Sequence, residues 1–171
     1  MIKPRTAVAA LAVLASTIVS IGTFEGWEGS AKPPLLGDHV TGGHGTTTDE
    51  NRKPLKLGQK IDPVRGLILL GRDVEDAARM VRKCAPYPMH QHEFQAFVML
   101  AQNIGHGAKG VKDGFCVNKE GRTAIIPRRL SVGDYHGACE AILLYRNFKG
   151  KPLRGLTIRR QAEYRQCTGA T

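Results

Sequence analysis

Glu25, Asp38 and Thr41 lie within one short stretch of the chain, and their side-chain types suit acid catalysis with a directed water. Cleaving a glycosidic bond requires an acid that protonates the leaving oxygen. It also requires a group on the opposite face that directs water or stabilises the sugar cation. Glu25 is the first charge after the run "AVAALAVLASTIVSIGTF", residues 7 to 24. A carboxyl at the apolar lip of a helix resists ionisation because desolvation disfavours the charged form, which suits a general acid. Asp38 and Thr41 fall on the strand-forming stretch expected to line the opposite wall. There Asp38 can orient or deprotonate water, and Thr41 can hold it by its hydroxyl. His44, in the following turn, is a candidate saccharide contact. Glu28, one helical turn beyond Glu25, is a competing carboxylate. Glutamate and aspartate at such intervals are common on protein surfaces, so plain solvation is the alternative for each.

The elements that must position these groups are legible in outline. Residues 27 to 60 are rich in Gly, Pro, Thr and Asp and carry no helical period. "GDHVTGGHGTTTDENRKPLKLG" therefore reads as short strands and tight turns, with Gly42, Gly43 and Gly45 permitting positive φ and close backbone approach. The alternative is a flexible linker. A long helix comes next in "IDPVRGLILLGRDVEDAARMVRKC", with Asp62 as N-cap and Pro63 at the first helical position. Its expected apolar stripe is Leu67, Leu70, Val74, Ala77, Val81 and Cys84, and the "APYP" segment ends it.

A second helix is predicted in "HQHEFQAFVMLAQNIG", burying Phe94, Phe97, Ala101 and Ile104 and stopping at Gly105. "EGRTAIIPRRLSVG" reads as a short helix interrupted by Pro127. "DYHGACEAILLYRN" has Asp134 as its cap and Ala138, Ile142 and Tyr145 on one face. "LRGLTIRRQAEYRQC" closes the chain as a basic amphipathic helix. Arg159 and Arg160 on it can support a cleft or pair with acidic neighbours, although solvation is the ordinary fate of such groups. Trp27 and Tyr145 can stack on sugar rings, with core packing as the commoner role. The sum is an α+β plan: a small β-lobe and a larger helical lobe joined by the long helix, with a hydrophobic helix at the N-terminus.

The 171 residues carry 25 Lys and Arg against 15 Asp and Glu, a net charge of +10, which favours polyanionic partners. The basic residues are scattered, and no zinc-finger or basic-zipper pattern is present, so nucleic acid is not the expected partner. Lys3 and Arg5 precede the apolar run, a polarity that favours export of the downstream chain. As a helix the run would reach about 27 Å, close to the bilayer hydrocarbon thickness. Ala, Ser, Thr and Gly make up just over half of it, and no clean A-x-A cleavage site stands directly before Glu25. A marginal anchor over residues 7–24 is expected, with a cleaved signal peptide, a permanent anchor and an ordinary core helix as alternatives.

The resulting division is a targeting segment at residues 1–24 and a catalytic domain at 25–171. Cys84, Cys116, Cys139 and Cys167 contain no CxxC pair, so no zinc site is expected; two disulfides are possible in any of three pairings, with four buried free thiols as the alternative. His90 and His92, two residues apart, fall on different helix faces and make a poor ligand pair. No metal or cofactor is expected.

Several of these segments together carry a family resemblance. "FEGW", "GDHVTGGHGTT", "MHQHEFQAFVMLAQNIGHGAKGVKDGFC", "VGDYHGAC" and "GKPLRGLTIRRQAEYRQC" resemble the phage-type lysozymes of glycoside hydrolase family 24, over nearly the whole chain from residue 24. The resemblance implies a lysozyme-like fold. It also implies hydrolysis of the β-1,4 bond between N-acetylmuramic acid and N-acetylglucosamine in peptidoglycan, causing host lysis. Glu25 matches the family's general acid, and Thr41 the threonine of its T-x-G-x-G turn. The interval from Glu25 to Thr41 is one residue longer than the family's, and Pro34 stands where Asp or Cys is usual. Asp38 is the acidic residue left to handle water.

The resemblance also implies a signal-anchor-release arrangement. A monomer is lodged in the inner membrane and then set free in the periplasm of a Gram-negative host, where disulfides can form. The competing functions are a lytic transglycosylase, which needs the glutamate without a water-directing partner, and a non-catalytic cationic wall-binding protein.

Overall fold

The computed structural model describes residues 4–34, 39–148 and 150–170. Asp38 falls outside them. The chain divides into two compact units: Leu14–Glu75, and the N-terminal stretch to Val13 together with Asp76–Thr171.

The first unit begins with α1, Ala15–Glu25, which buries Thr17 and Ile21. Gly26 at φ 70° ends the helix, its N–H donating to Gly22 O at 3.0 Å. A position of that φ suits glycine, because an L side chain there meets the following carbonyl. The chain then turns into β1, Glu28–Lys32, paired antiparallel with β2, Thr41–Gly43. Glu28 stands opposite Gly43 and Lys32 opposite Thr41, with an irregular register between. The turn-rich stretch folds as expected: Gly42 bridges Thr46, and Thr48 bridges Pro54. Ala31, Leu55 and Ile61 form a small core with Val40 packed on it. A Cβ on Gly42 would lie 2.6 Å from Ile61 Cδ1 and 3.2 Å from Ala31 Cβ, so a larger residue would have to push that core aside.

The long helix α2, Pro63–Cys84, begins in this unit and ends in the other. Asp62 caps it, accepting from Arg65 N–H at 3.0 Å. Leu70, Val74, Ala77 and Val81 are buried as the spacing predicts, together with Leu69 and Ala78. Leu67, expected in the stripe, is 56% exposed. It lies in the first turns, where the buried line has moved to Leu69 and Leu70.

In the second unit α3, Gln91–Ile104, is buried continuously from Glu93 to Ala101. A helix apolar on most faces must be enclosed by others, and this one is the core element. Its start is a capping box. His90 accepts from the Glu93 N–H, and the Glu93 carboxylate accepts from His90 N–H at 2.7 Å. Phe94, Phe97 and Phe115 are fully buried, each contributing about 1.5–3 kcal/mol relative to exposure. Gly105 ends the helix as predicted, at φ 72°.

α4 spans Ile125–Ser131 and contains Pro127 without interruption. Proline there occupies the first turn, where the N–H has no intrahelical acceptor to lose. α5, Tyr135–Ala141, is capped by Asp134, which accepts from Gly137 N–H at 2.9 Å. A short hairpin of β3, Asn147–Phe148, and β4, Lys151–Pro152, leads into α6, Arg154–Thr168.

The expected solvation of Arg159 and Arg160 does not occur: both are buried on α6, and Glu163 is 0% exposed between them. Glu163 binds Arg159 Nε at 3.1 Å and Arg160 Nη1 at 2.9 Å. Gln102 and Asn103 of α3 accept from the two guanidiniums at 3.1 and 2.6 Å. The i+3 and i+4 spacing to one carboxylate supplies the counter-charge, and α3 supplies the remaining acceptors.

The cysteines pair as Cys84–Cys116 and Cys139–Cys167. Loops of these lengths stabilise by roughly 3–4 kcal/mol in the chain-entropy account.

The apolar run 7–24 is not one helix. A 3-10 turn spans Val8–Ala10, and α1 starts only at Ala15. Between them, Leu11 O accepts from Arg82 at 2.9 Å, and Ala12 O accepts from Gln91 and Gln95 at 2.6 and 3.0 Å. Carbonyls held by side chains of α2 and α3 are withdrawn from an intrahelical ladder. Upstream, Thr6 pairs with Met89, and Arg5 grips Glu93 through Nε at 3.1 Å and Nη2 at 2.8 Å while lying over the Tyr135 ring. Among the described residues no helix is long and apolar enough to cross a membrane.

Candidate active site

Glu25 is the last residue of α1, and Gly26 turns the chain away behind it. The half-buried Glu25 side chain leans on the glycine turn that follows β2: a Cβ built on Gly45 would stand 2.9 Å from Glu25 Oε2 and 3.5 Å from its Cδ. Gly45 has φ 81°, a backbone conformation that favours glycine, and any side chain there would also displace the carboxyl. The turn is closed by two backbone bonds, Gly42 N–H to Thr46 O and Thr46 N–H to Gly42 O, both 3.0 Å.

The other expected site residues distribute around that contact. Thr41 opens β2, two positions before Gly43, and its hydroxyl donates to Lys32 O at 3.4 Å across the strand pair. It therefore belongs to the same strand and turn as Gly45 while sitting at the Lys32 end of the pairing. Asp38 lies outside the described residues. His44 donates from Nδ1 to Gly26 O at 2.5 Å, which ties the turn to the end of α1. Trp27 meets the His44 ring edge-on at 5.2 Å. Trp27 is not a core residue: it is 43% exposed, resting on Gly66, where a Cβ would collide with its ring.

The competing carboxylate, Glu28, is engaged elsewhere. Glu28 forms an ion pair with Lys32, whose ammonium, bonded to the carboxylate, holds its pKa below the ordinary value. A carboxylate stabilised in its ionised form is poorly suited to donate a proton near neutral pH.

One set of contacts beside the turn was not legible in the sequence. Arg72, on α2, binds Thr46, Thr48 and Asp49 beside the glycine turn. A lone arginine at the edge of an apolar stripe carries no signal of such a role. The histidines His90 and His92 stack on each other at 5.3 Å, and His92 Nδ1 donates to Cys167 O at 3.0 Å. Cys84, Cys116 and His106 cluster closely enough to hold a metal ion, but the two cysteines are joined as a disulfide.

Residues 22–163 match the model of the phage lysozyme family. Among solved structures the chain is similar to an endolysin from Escherichia coli O157:H7 phage FAHEc1, at 27% identity and TM-score 0.75, over 95% of this chain and 96% of that one. It is similar in fold to the active form of P1 phage endolysin Lyz, at 19% identity and TM-score 0.72, over 99% and 98% of the two chains. The muramidase domain of SpmX from Asticaccaulis excentricus also shares the fold, at 20% identity and TM-score 0.71, over 92% and 97%. Among curated proteins none matches.

Proposed function

The chain belongs to the phage lysozyme family and is a lysozyme-type glycoside hydrolase, and from that premise we propose that it is an endolysin hydrolysing the N-acetylmuramic acid to N-acetylglucosamine β-1,4 bond of peptidoglycan, with Glu25 as general acid. The observation that carries the assignment is the Glu25 carboxyl held against Gly45, in the turn that follows the strand opened by Thr41. In this reading Glu25 gives its proton to the glycosidic oxygen as the C1–O bond breaks. Water positioned by the Thr41 hydroxyl adds to C1, and Asp38 takes the water's proton. His44 fixes the turn and is a secondary saccharide contact. The net charge of +10 favours approach to the anionic wall.

Turbidity loss of chloroform-permeabilised Gram-negative cells tests the assignment. Glu25→Gln should lower lytic activity by at least about a hundredfold, the order expected for loss of a general acid. Lysis unchanged by that substitution would refute enzymatic action through Glu25. Product ends refine the result: a reducing end marks hydrolysis, whereas an anhydro-muramic end would replace hydrolysis by transglycosylation.

The proposed life cycle begins with residues 7–24 lodged in the inner membrane and ends with a periplasmic monomer. It is supported by the weakly apolar composition of that run and by the use of its second half as α1. Residues embedded in lipid cannot simultaneously form the α1 that presents Glu25, so the tethered enzyme would be inactive. Specific activity of membrane-bound and released fractions should differ strongly; equal values would remove the release step.

A further inference from the structure

We propose that Arg72 is a positioning residue for Glu25, acting through Thr46 and the glycine turn; this rests on the reading of Glu25 as the acid. Arg72 projects from α2 in the same compact unit as α1 and the turn. Its Nη2 donates to Thr46 Oγ1 at 3.2 Å, to Thr48 Oγ1 at 2.9 Å and to Thr48 O at 3.2 Å, and its Nη1 donates to Asp49 O. Asp73 Oδ1 accepts from Nε at 3.0 Å and Nη2 at 2.7 Å, which orients the guanidinium plane. One cation thus binds three residues of the leg from Thr46 to Asp49, through hydroxyls of Thr46 and Thr48 and carbonyls of Thr48 and Asp49. A planar guanidinium fork reaches these acceptors together, which a lysine ammonium cannot do.

The link to Glu25 runs through two covalent neighbours. Thr46 is 3% exposed, and its hydroxyl accepts from Arg72 while donating to Thr48 O at 3.3 Å. Its backbone closes the turn on Gly42 through the two 3.0 Å bonds. The residue before it is Gly45, the surface on which the Glu25 carboxyl rests. With Thr46 held on one side by Gly42 and on the other by Arg72, Gly45 has little freedom to shift. Releasing Arg72 removes its bonds to Thr46, Thr48 and Asp49; the leg stays paired through Thr47 O to Leu55 N–H at 2.9 Å and Asp49 N–H to Lys53 O at 2.8 Å, but the Thr46 end loses its side-chain anchor and lets that surface move. A misplacement of about 1 Å at a reacting group can cost about a hundredfold in rate, so a shift of about half that size is expected to cost about tenfold.

The test measures kcat and KM on soluble glycan strands, with thermal melting, for wild type, Arg72→Met, Arg72→Lys and Glu25→Gln. The expected result for Arg72→Met is a kcat, corrected for the folded fraction, lowered about tenfold with KM within about twofold. Arg72→Lys should recover part of the loss, because an ammonium reaches only some of the acceptors. If Arg72→Met does not fold, Thr46→Val removes the central acceptor at similar volume and should give the same kcat-selective loss. A kcat per folded molecule equal to wild type in the folding variant overturns the proposal. The two readings fail separately: an active Glu25→Gln sinks the acid assignment, whereas an inactive Glu25→Gln beside an unimpaired Arg72→Met sinks only the positioning role.

Discussion

Gly45→Ala isolates the contact on which the assignment stands. The added methyl carbon would meet Glu25 Oε2 at 2.9 Å, several tenths of an ångström inside an ordinary contact. The carboxyl is the far end of a flexible side chain, so it gives way at little energetic cost, but it leaves its place. Separately, an alanine at φ 81° incurs backbone strain of roughly 1–2 kcal/mol, which lowers Tm by about 2–8 °C in a chain of this size.

Gly58→Ala supplies the control. Gly58 has φ 77°, and nothing lies within 4 Å of its built Cβ, so it carries the same backbone strain with no carboxyl to displace. Calorimetric melting should therefore place the two variants within a few degrees of each other. Lytic turnover per folded molecule should fall roughly ten- to a hundredfold in Gly45→Ala and stay near wild type in Gly58→Ala. Equal activities would refute the idea that the Gly45 surface sets the reacting carboxyl.

The buried charges of α6 and the Tyr145 phenol give two stability predictions. Glu163→Gln leaves the Arg159 and Arg160 guanidiniums buried without their shared counter-charge and should cost about 3–5 kcal/mol, or about 6–20 °C in Tm; a loss under about 1 kcal/mol would contradict the network's role. Tyr145 is pushed up to about 12, chiefly by burial and secondarily by the Asp113 carboxylate. Its unfolded value lies near 10, so between about pH 10 and 12 the unfolded chain releases the phenolic proton first and stability falls as pH rises. Tyr145→Phe should flatten this alkaline decline in denaturant titrations, and an unchanged slope would exclude Tyr145 as its source.

Local stereochemistry made several elements readable in advance. Asp62 and Pro63 announce the start of α2, Asp134 caps α5, and Gly105 ends α3, because caps and stops act within three or four residues of themselves. The glycine turn was visible as a turn, and the family resemblance singled out Glu25 and Thr41. What the turn does could not be read, since the contact between Gly45 and Glu25 joins residues whose approach depends on how β1 and β2 return the chain to the end of α1.

Tertiary structure alone chose among the three disulfide pairings, because four separated cysteines carry no pairing rule of their own. It arrested the apolar run at Leu11 and Ala12, where Arg82, Gln91 and Gln95 bind the carbonyls, although composition favoured a continuous helix. It also buried Arg159 and Arg160. Their charge predicted solvation, and only acceptors on α3, 57 residues earlier in the chain, combined with Glu163 to make the dry site tolerable. Hydrophobic period and capping are properties of a segment, whereas the burial of a charge is decided by which distant groups arrive beside it.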